Sequence, residues 1–300
     1  MGYLFLSLSV LAGAVKGFCG KKTSSALSTF RDAMLANMLR MIICSLLGIA
    51  VILIGGDIGE LAPSAEVLII SAISGITTSA FVVFWMVSVK NGAYMMVDVV
   101  LMAGTLIPVT ANSIIYGEQI KAVQWLGFAF MVVAALLMCS YNNSLKKKLT
   151  VPSILILAAC GISSGFSDLS QKLFVNQASS IPVSVFNFYT YVFSALTLII
   201  CFFAFGIKEH SYAFKFEGRS VSRKIAVYIL IMSVCLFASS YFKTLAAASL
   251  DAVYIYPLSQ GSALIISSLM AWLLFGEKIT VKCAFGLVLS FSGILMINFL

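Results

Sequence analysis

The chain has 300 residues, of which 61% are hydrophobic and 10% charged, and its mean hydropathy is +1.06. That balance excludes a water-soluble globular protein, because too little polar surface exists to solvate loops and helix faces. The net charge of +8 is read as anchored cytoplasmic loops, not as a nucleic-acid-binding surface.

Apolar runs of about 18 residues or more cross a bilayer as helices, since lipid leaves no other partner for the backbone. The first run, 3–18, holds Gly13, Lys16 and Gly17; lysines follow it and no positive charge precedes it, the wrong polarity for a cleaved signal peptide. Run 33–54 contains Asn37 and Arg40, and an acidic loop with Asp57, Glu60 and Glu66 follows. Runs 67–89 and 93–115 are separated by so few residues that they are antiparallel neighbours. The fourth holds Asp98 and Pro108, which predicts a polar middle and a kink in its far half. Run 123–141 and a lysine-rich loop close the first half. Runs 152–174, 183–205, 225–248, 252–275 and 281–300 follow, so the expected fold class is all-α integral membrane with ten transmembrane helices and no soluble domain.

Two polar interruptions organise these runs: Tyr116-Gly117-Glu118 and Phe275-Gly276-Glu277, an offset of 159. Gly13 and Gly17 with Phe18 likewise overlie Gly161 and Gly165 with Phe166. A duplication with an odd number of spans per half makes the halves inverted, as in many secondary transporters. The expected division is residues 1–145 and 146–300, two five-helix repeats.

The Gly-Glu pairs, each opening the last span of its half, Gly127 and Gly286 inside those spans, Arg40 and the small residues of the first span of each half give the chain its family likeness. It resembles the drug/metabolite transporter superfamily, in its ten-helix EamA-type branch. The resemblance implies a central cavity formed by spans 1, 3, 4, 6, 8 and 9, with spans 5 and 10 peripheral, and a monomer or a homodimer through spans 5 and 10. Lys16 departs from the pattern of many relatives, so no substrate is carried over from any one member.

Charges inside a span cost a few kcal/mol each on insertion scales and mark the bundle interior. Lys16 and Asp98 are read as cavity residues, and Asp98 lies one turn after Tyr94 on the same face. Asp168 and Lys172, four apart, are candidates for the same cavity or for a self-neutralising helix-end salt bridge. Lys243 and Asp251 are read as reaching the interface. Trp85 belongs to a face with Thr78, Phe81 and Ser88, and Tyr256 to one with Gln260, Ala263 and Ser267; Tyr241 and Tyr254 flank the turn between spans 8 and 9. Pro257 is expected to break span 9 beside Tyr256. The candidate substrate-cavity residues are therefore Lys16, Trp85, Tyr94, Asp98, Asp168, Lys172, Tyr241, Tyr254, Tyr256 and Gln260.

Gly13, Gly17, Gly161 and Gly165 have the spacing for close helix approach, and Glu118 and Glu277 are read as capping the helices they open. The seven cysteines lack any C-x-x-C pair and His210 is the only histidine, so the cysteines are read as packing residues and no metal or other cofactor is expected. The function expected is secondary transport of a small polar or amphipathic metabolite, an amino-acid-like zwitterion favoured, in a multi-pass cell-membrane protein. Its partners are the small-molecule substrate and the bilayer, with no nucleic acid. A non-transporting membrane subunit and an integral-membrane enzyme are the alternatives, the latter disfavoured by the lack of clustered catalytic groups. Loop cations gather on one side, which places both termini outside by the positive-inside rule, whereas the resemblance implies cytoplasmic termini.

Overall fold

The computed structural model describes residues 1–27, 29–91, 94–139, 150–209, 223–276 and 280–299. Eleven helices are present among them: α1 (Gly2–Ser24), α2 (Phe30–Gly55), α3 (Ala65–Asn91), α4 (Tyr94–Gly104), α5 (Leu106–Tyr116), α6 (Ala122–Cys139), α7 (Val151–Gln177), α8 (Val183–Glu209), α9 (Arg223–Ala247), α10 (Ala252–Phe275) and α11 (Val281–Phe299). Seven of them, α1 to α3 and α7 to α10, are long and apolar enough to cross a membrane. α4 and α5 together form the fourth span, so ten spans are reached, and no strand occurs among the described residues. Leu273, Phe285 and Val288 are among many large apolar side chains left on the outer surface, where water would penalise them and lipid does not.

Local chemistry explains the helix ends. Thr29 and Asp32 cap α2 reciprocally: Asp32 N–H donates to Thr29 Oγ1 at 3.1 Å and Thr29 N–H to Asp32 Oδ2 at 3.0 Å. α5 and α10 both stop at a glycine in the left-handed region, Gly117 at φ +68 and Gly276 at φ +66. A side chain is strained there, which is why the two interruptions begin with glycine.

The fourth span breaks at Thr105, three residues before Pro108. Restarting at Leu106 puts Pro108 in the first turn of α5, where its missing N–H has no intrahelical partner to lose. Pro257, by contrast, does not break its helix: α10 runs unbroken from Ala252 to Phe275. Near the start of a helix a proline removes one bond, to the carbonyl of Val253, and the rest of the ladder is intact.

Packing follows an exchange symmetry. α1 lies on α9 and α3 on α7; α1 meets α10 and α4 meets α7; α2 pairs with α8, α4 with α10 and α6 with α11. Swapping the first five spans for the second five maps this set of contacts onto itself, the pattern of two inverted five-helix repeats. The glycines act between halves, as close-approach positions. A Cβ on Gly161 would fall 2.8 Å from the Val100 carbonyl oxygen, and one on Gly165 would meet the Gly104 carbonyl, so these glycines seat α7 against α4 and α5. Gly13 instead faces Ser239 of α9. α6 and α11 close the side of the bundle through Gly127 and Gly293, each against the other's carbonyl, with Gln124 Nε2 donating to Ile297 O at 3.2 Å.

Cys19, Cys44 and Cys160 are buried free thiols, and Cys201 and Cys235 are free and partly buried. The side chains of Cys139 and Cys283, and Glu277 and His210, lie outside the described residues.

Candidate functional site

A central cavity of about 120 Å³ lies between α1, α3, α4, α7, α9 and α10, with Tyr191 of α8 also in its lining. Its lining is unusually hydroxyl-rich for a lipid-embedded bundle, with Ser9, Thr78, Ser164, Ser167, Ser239, Ser240 and Ser259. Several of these hydroxyls hold helices together. Ser9 Oγ donates to Ser239 O at 2.7 Å and Ser239 Oγ to Ser9 O at 2.9 Å, a reciprocal clasp between α1 and α9. Thr78 and Ser167 hydroxyls lie 2.9 Å apart between α3 and α7, the corresponding pair of helices.

Of the ten residues singled out in the sequence, Lys16, Trp85, Asp98, Asp168 and Gln260 line this cavity. Lys243 lines it too, and corrects the reading that it reaches the interface. Its Nζ lies 2.5 Å from Asp168 Oδ1, with the two side chains 15% and 4% exposed. Asp168 therefore pairs across to α9 and not with Lys172 four residues on. The signal for Lys243 was its face: Leu236, Ser239, Ser240 and Lys243 recur at helical spacing and all line the cavity.

The remaining residues sit elsewhere. Lys172 lies outside the lining, where its Nζ donates to the carbonyls of Ala247 at 3.1 Å and Leu250 at 2.8 Å and stands 3.7 Å from Glu118 Oε1. Tyr256 is fully buried and its hydroxyl donates to the backbone carbonyl of Asp168 at 2.7 Å, fixing the turn that carries the carboxylate. Tyr241 stacks on Phe237 and Tyr254 packs against the main apolar cluster. The Tyr94 side chain lies outside the described residues.

Glu118 does cap a helix, but not its own. Its Oε2 accepts the Ala252 N–H at 3.0 Å, at the first turn of α10 in the other half, while Lys172 holds the carbonyls at the end of α9. Both choices match the helix dipoles, the carboxylate at an N-terminus and the ammonium at a C-terminus. α6 is served by Gln124, whose Oε1 accepts the Lys121 N–H at 2.9 Å.

Two charges in the cavity are left over. Asp98 is 6% exposed and its Oδ2 has no hydrogen-bond partner among the described residues. Ser267 on α10 is the hydroxyl neighbour of the Asp98 carboxylate, and its Oγ also lies 3.0 Å from the Leu264 carbonyl oxygen. Lys16 has its Nζ 5.9 Å from the centroid of the Phe81 ring, within cation–π range, and no carboxylate among the described residues within ion-pair distance. No group of three or more metal-ligating side chains occurs among the described residues.

Two inverted bundles around a polar cavity define a multi-pass helical membrane protein built like a secondary transporter. Residues 151–299 match the model of the EamA-like transporter family. A solved structure, titled only as the crystal structure of a protein, superposes with a TM-score of 0.70 over 99% of this chain and 96% of its own at 16% identity, a likeness of fold. No curated protein matches the chain.

Proposed function

We propose that the protein is a secondary transporter that carries a small zwitterionic metabolite across the cell membrane by alternating access. The observation behind this reading is the pair of unmatched charges in one cavity, Asp98 with an unpartnered Oδ2 and Lys16 with no ion-pair partner among the described residues. Uncompensated charge in a membrane interior is expensive, so its retention points to a ligand that supplies the missing partners. A molecule carrying one ammonium and one carboxylate does so. The Asp168–Lys243 pair satisfies itself and leaves no charge to offer.

The exchange symmetry supports alternating access. Contacts α1·α9 and α3·α7 are equivalent, so loosening one while tightening the other opens opposite ends of the cavity at little net cost in packing. Uptake of labelled amino acids into proteoliposomes tests the reading. Lys16→Ala and Asp98→Asn are expected to cut uptake at least tenfold for zwitterions; undiminished uptake in both variants would remove these residues from the site.

A further inference from the structure

Beside the central cavity, the corner formed by α1, α2 and α3 holds a second polar feature. Arg40 on α2 is 2% exposed, the largest of the fully buried side chains. Its Nη1 donates to Asn37 Oδ1, and Asn37 is itself held by Nδ2 donation to Ala33 O at 2.8 Å and Val82 O at 3.2 Å. The guanidinium is thus fixed in direction, yet its Nε is buried without an acceptor. A small cavity of about 10 Å³ lies between this group and Lys16, lined also by Phe81, Val82, Trp85 and Leu236. That is room for one water-sized atom. Lys16, Phe81, Trp85 and Leu236 line the central cavity as well, so the two spaces adjoin.

Charge count decides what belongs there. Among the described residues no carboxylate lies within ion-pair distance of Lys16 or Arg40. The charges acting most strongly on Lys16 are Lys243 and Arg40, both of like sign, ahead of Asp98 and Asp168. Asp168 is already engaged by Lys243. Lys16, Arg40 and Lys243 stand against Asp98 and Asp168, three cations to two carboxylates, so one positive charge is left in surroundings that screen it poorly. A cation could not be held there, and water alone would leave the excess charge in place.

We propose that Lys16 and Arg40 form an anion subsite for one carboxylate oxygen entering from the central cavity or, with the flexible Lys16 drawn aside, for a monatomic anion such as chloride. Arg40 supplies the fixed donor, Lys16 the adjustable one, and Phe81, Trp85 and Leu236 an apolar wall. A chloride would fill the subsite in the resting protein; its second occupant, a substrate carboxylate that displaces the chloride, rests on the transporter reading.

Trp85 lines the subsite, whereas Trp125 and Trp272 lie on the outer surface. With both outer tryptophans replaced by Phe, emission from Trp85 in the purified, detergent-solubilised protein reports on the subsite. Sodium chloride, bromide and acetate are titrated against gluconate at constant ionic strength. A saturable change is expected, with Arg40→Gln raising the half-saturating concentration at least tenfold and Arg40→Lys keeping most of the response. Competition between chloride and acetate identifies one shared site; a response to acetate alone assigns it to the substrate's carboxylate. No saturable response to any of the three, a purely linear quench, or an undiminished response in Arg40→Gln overturns the proposal. Should Arg40→Gln fail to fold, the series on the Arg40 protein decides by itself. Loss of transport with the halide response intact would remove the transporter reading and leave this one standing.

Discussion

Asp168 and Asp98 are both buried carboxylates facing the same cavity, but their surroundings give them different roles. Asp168 has Lys243 at 2.5 Å and a backbone turn pinned by Tyr256; Asp98 has an oxygen with no partner. Breaking a buried pair by removing one member leaves an uncompensated charge, so Asp168→Asn or Lys243→Gln alone should lower stability by about 3–5 kcal/mol. The double variant should lose clearly less than the sum of the two, in thermal unfolding of the purified protein. Additive losses would show that the two residues do not interact. Asp98→Asn should leave the unfolding temperature unchanged or raised while transport falls, because it removes a buried charge with one oxygen left unpartnered. A large drop in stability would mean that Asp98 has a structural partner after all. From the sequence, the charged positions inside spans were legible, since a charge in an apolar run is conspicuous; the pairing was not. Asp168 and Lys172 share a helix face, yet each takes its partner from α9 or the loops at its end, which local spacing does not encode.

Among the elements, α10 depends on a residue far from it in sequence. Glu118 caps its first turn and Lys172 holds the end of α9, so the short α9–α10 turn is fastened to α7 and to the α5–α6 loop. Burial raises the Glu118 carboxyl above its ordinary 4.5, and Asp251 adds to this, against the opposing pull of Lys172 and the Ala252 amide. A carboxyl raised by folding binds its proton more tightly in the folded state. Its contribution to stability is complete below pH 4.5 and declines as pH rises through the raised value. The unfolding temperature of the protein should therefore fall with rising pH across that window more steeply than that of Glu118→Gln. Identical slopes would show that Glu118 titrates alike in both states. At the α4–α5 break, Gly165→Val would drive a side chain into the Gly104 carbonyl and Ile107. A loss of about 1–3 kcal/mol is expected on thermal unfolding, since the obstacle is backbone and cannot swing aside. A neutral effect would mean that α7 does not sit against α4 in this way.

At the scale of the whole molecule, transport by alternating access requires the interface between halves to open on one side at a time. The reciprocal Ser9–Ser239 clasp joins α1 of the first half to α9 of the second, with hydroxyls 3.2 Å apart. Cysteines at both positions are placed to form a disulfide, which would lock this interface. Oxidation should then abolish uptake into proteoliposomes, and reduction should restore it, against a control without the two added cysteines treated alike. Full uptake in the cross-linked protein would rule out separation of α1 from α9 during the cycle. The side facing the cytoplasm is a separate question of charge: a reporter enzyme active only outside the cytoplasm, fused after Leu300, should be active if the loop cations set orientation.

By itself the sequence determined the membrane class, the number and placement of the spans, the glycine-terminated helices and their duplication. All of these rest on hydropathy and backbone conformation over a few neighbouring residues. Only the tertiary structure decided which charges neutralise each other, that Glu118 caps α10 in the opposite half, that α10 passes unbroken through Pro257, and that Arg40 and Lys16 adjoin one small cavity. Those outcomes depend on which helix faces meet. Some partners come from the same half, as for Asp168 with Lys243, and some from the opposite one, as for Glu118 with α10, and in both cases they lie far apart along the chain.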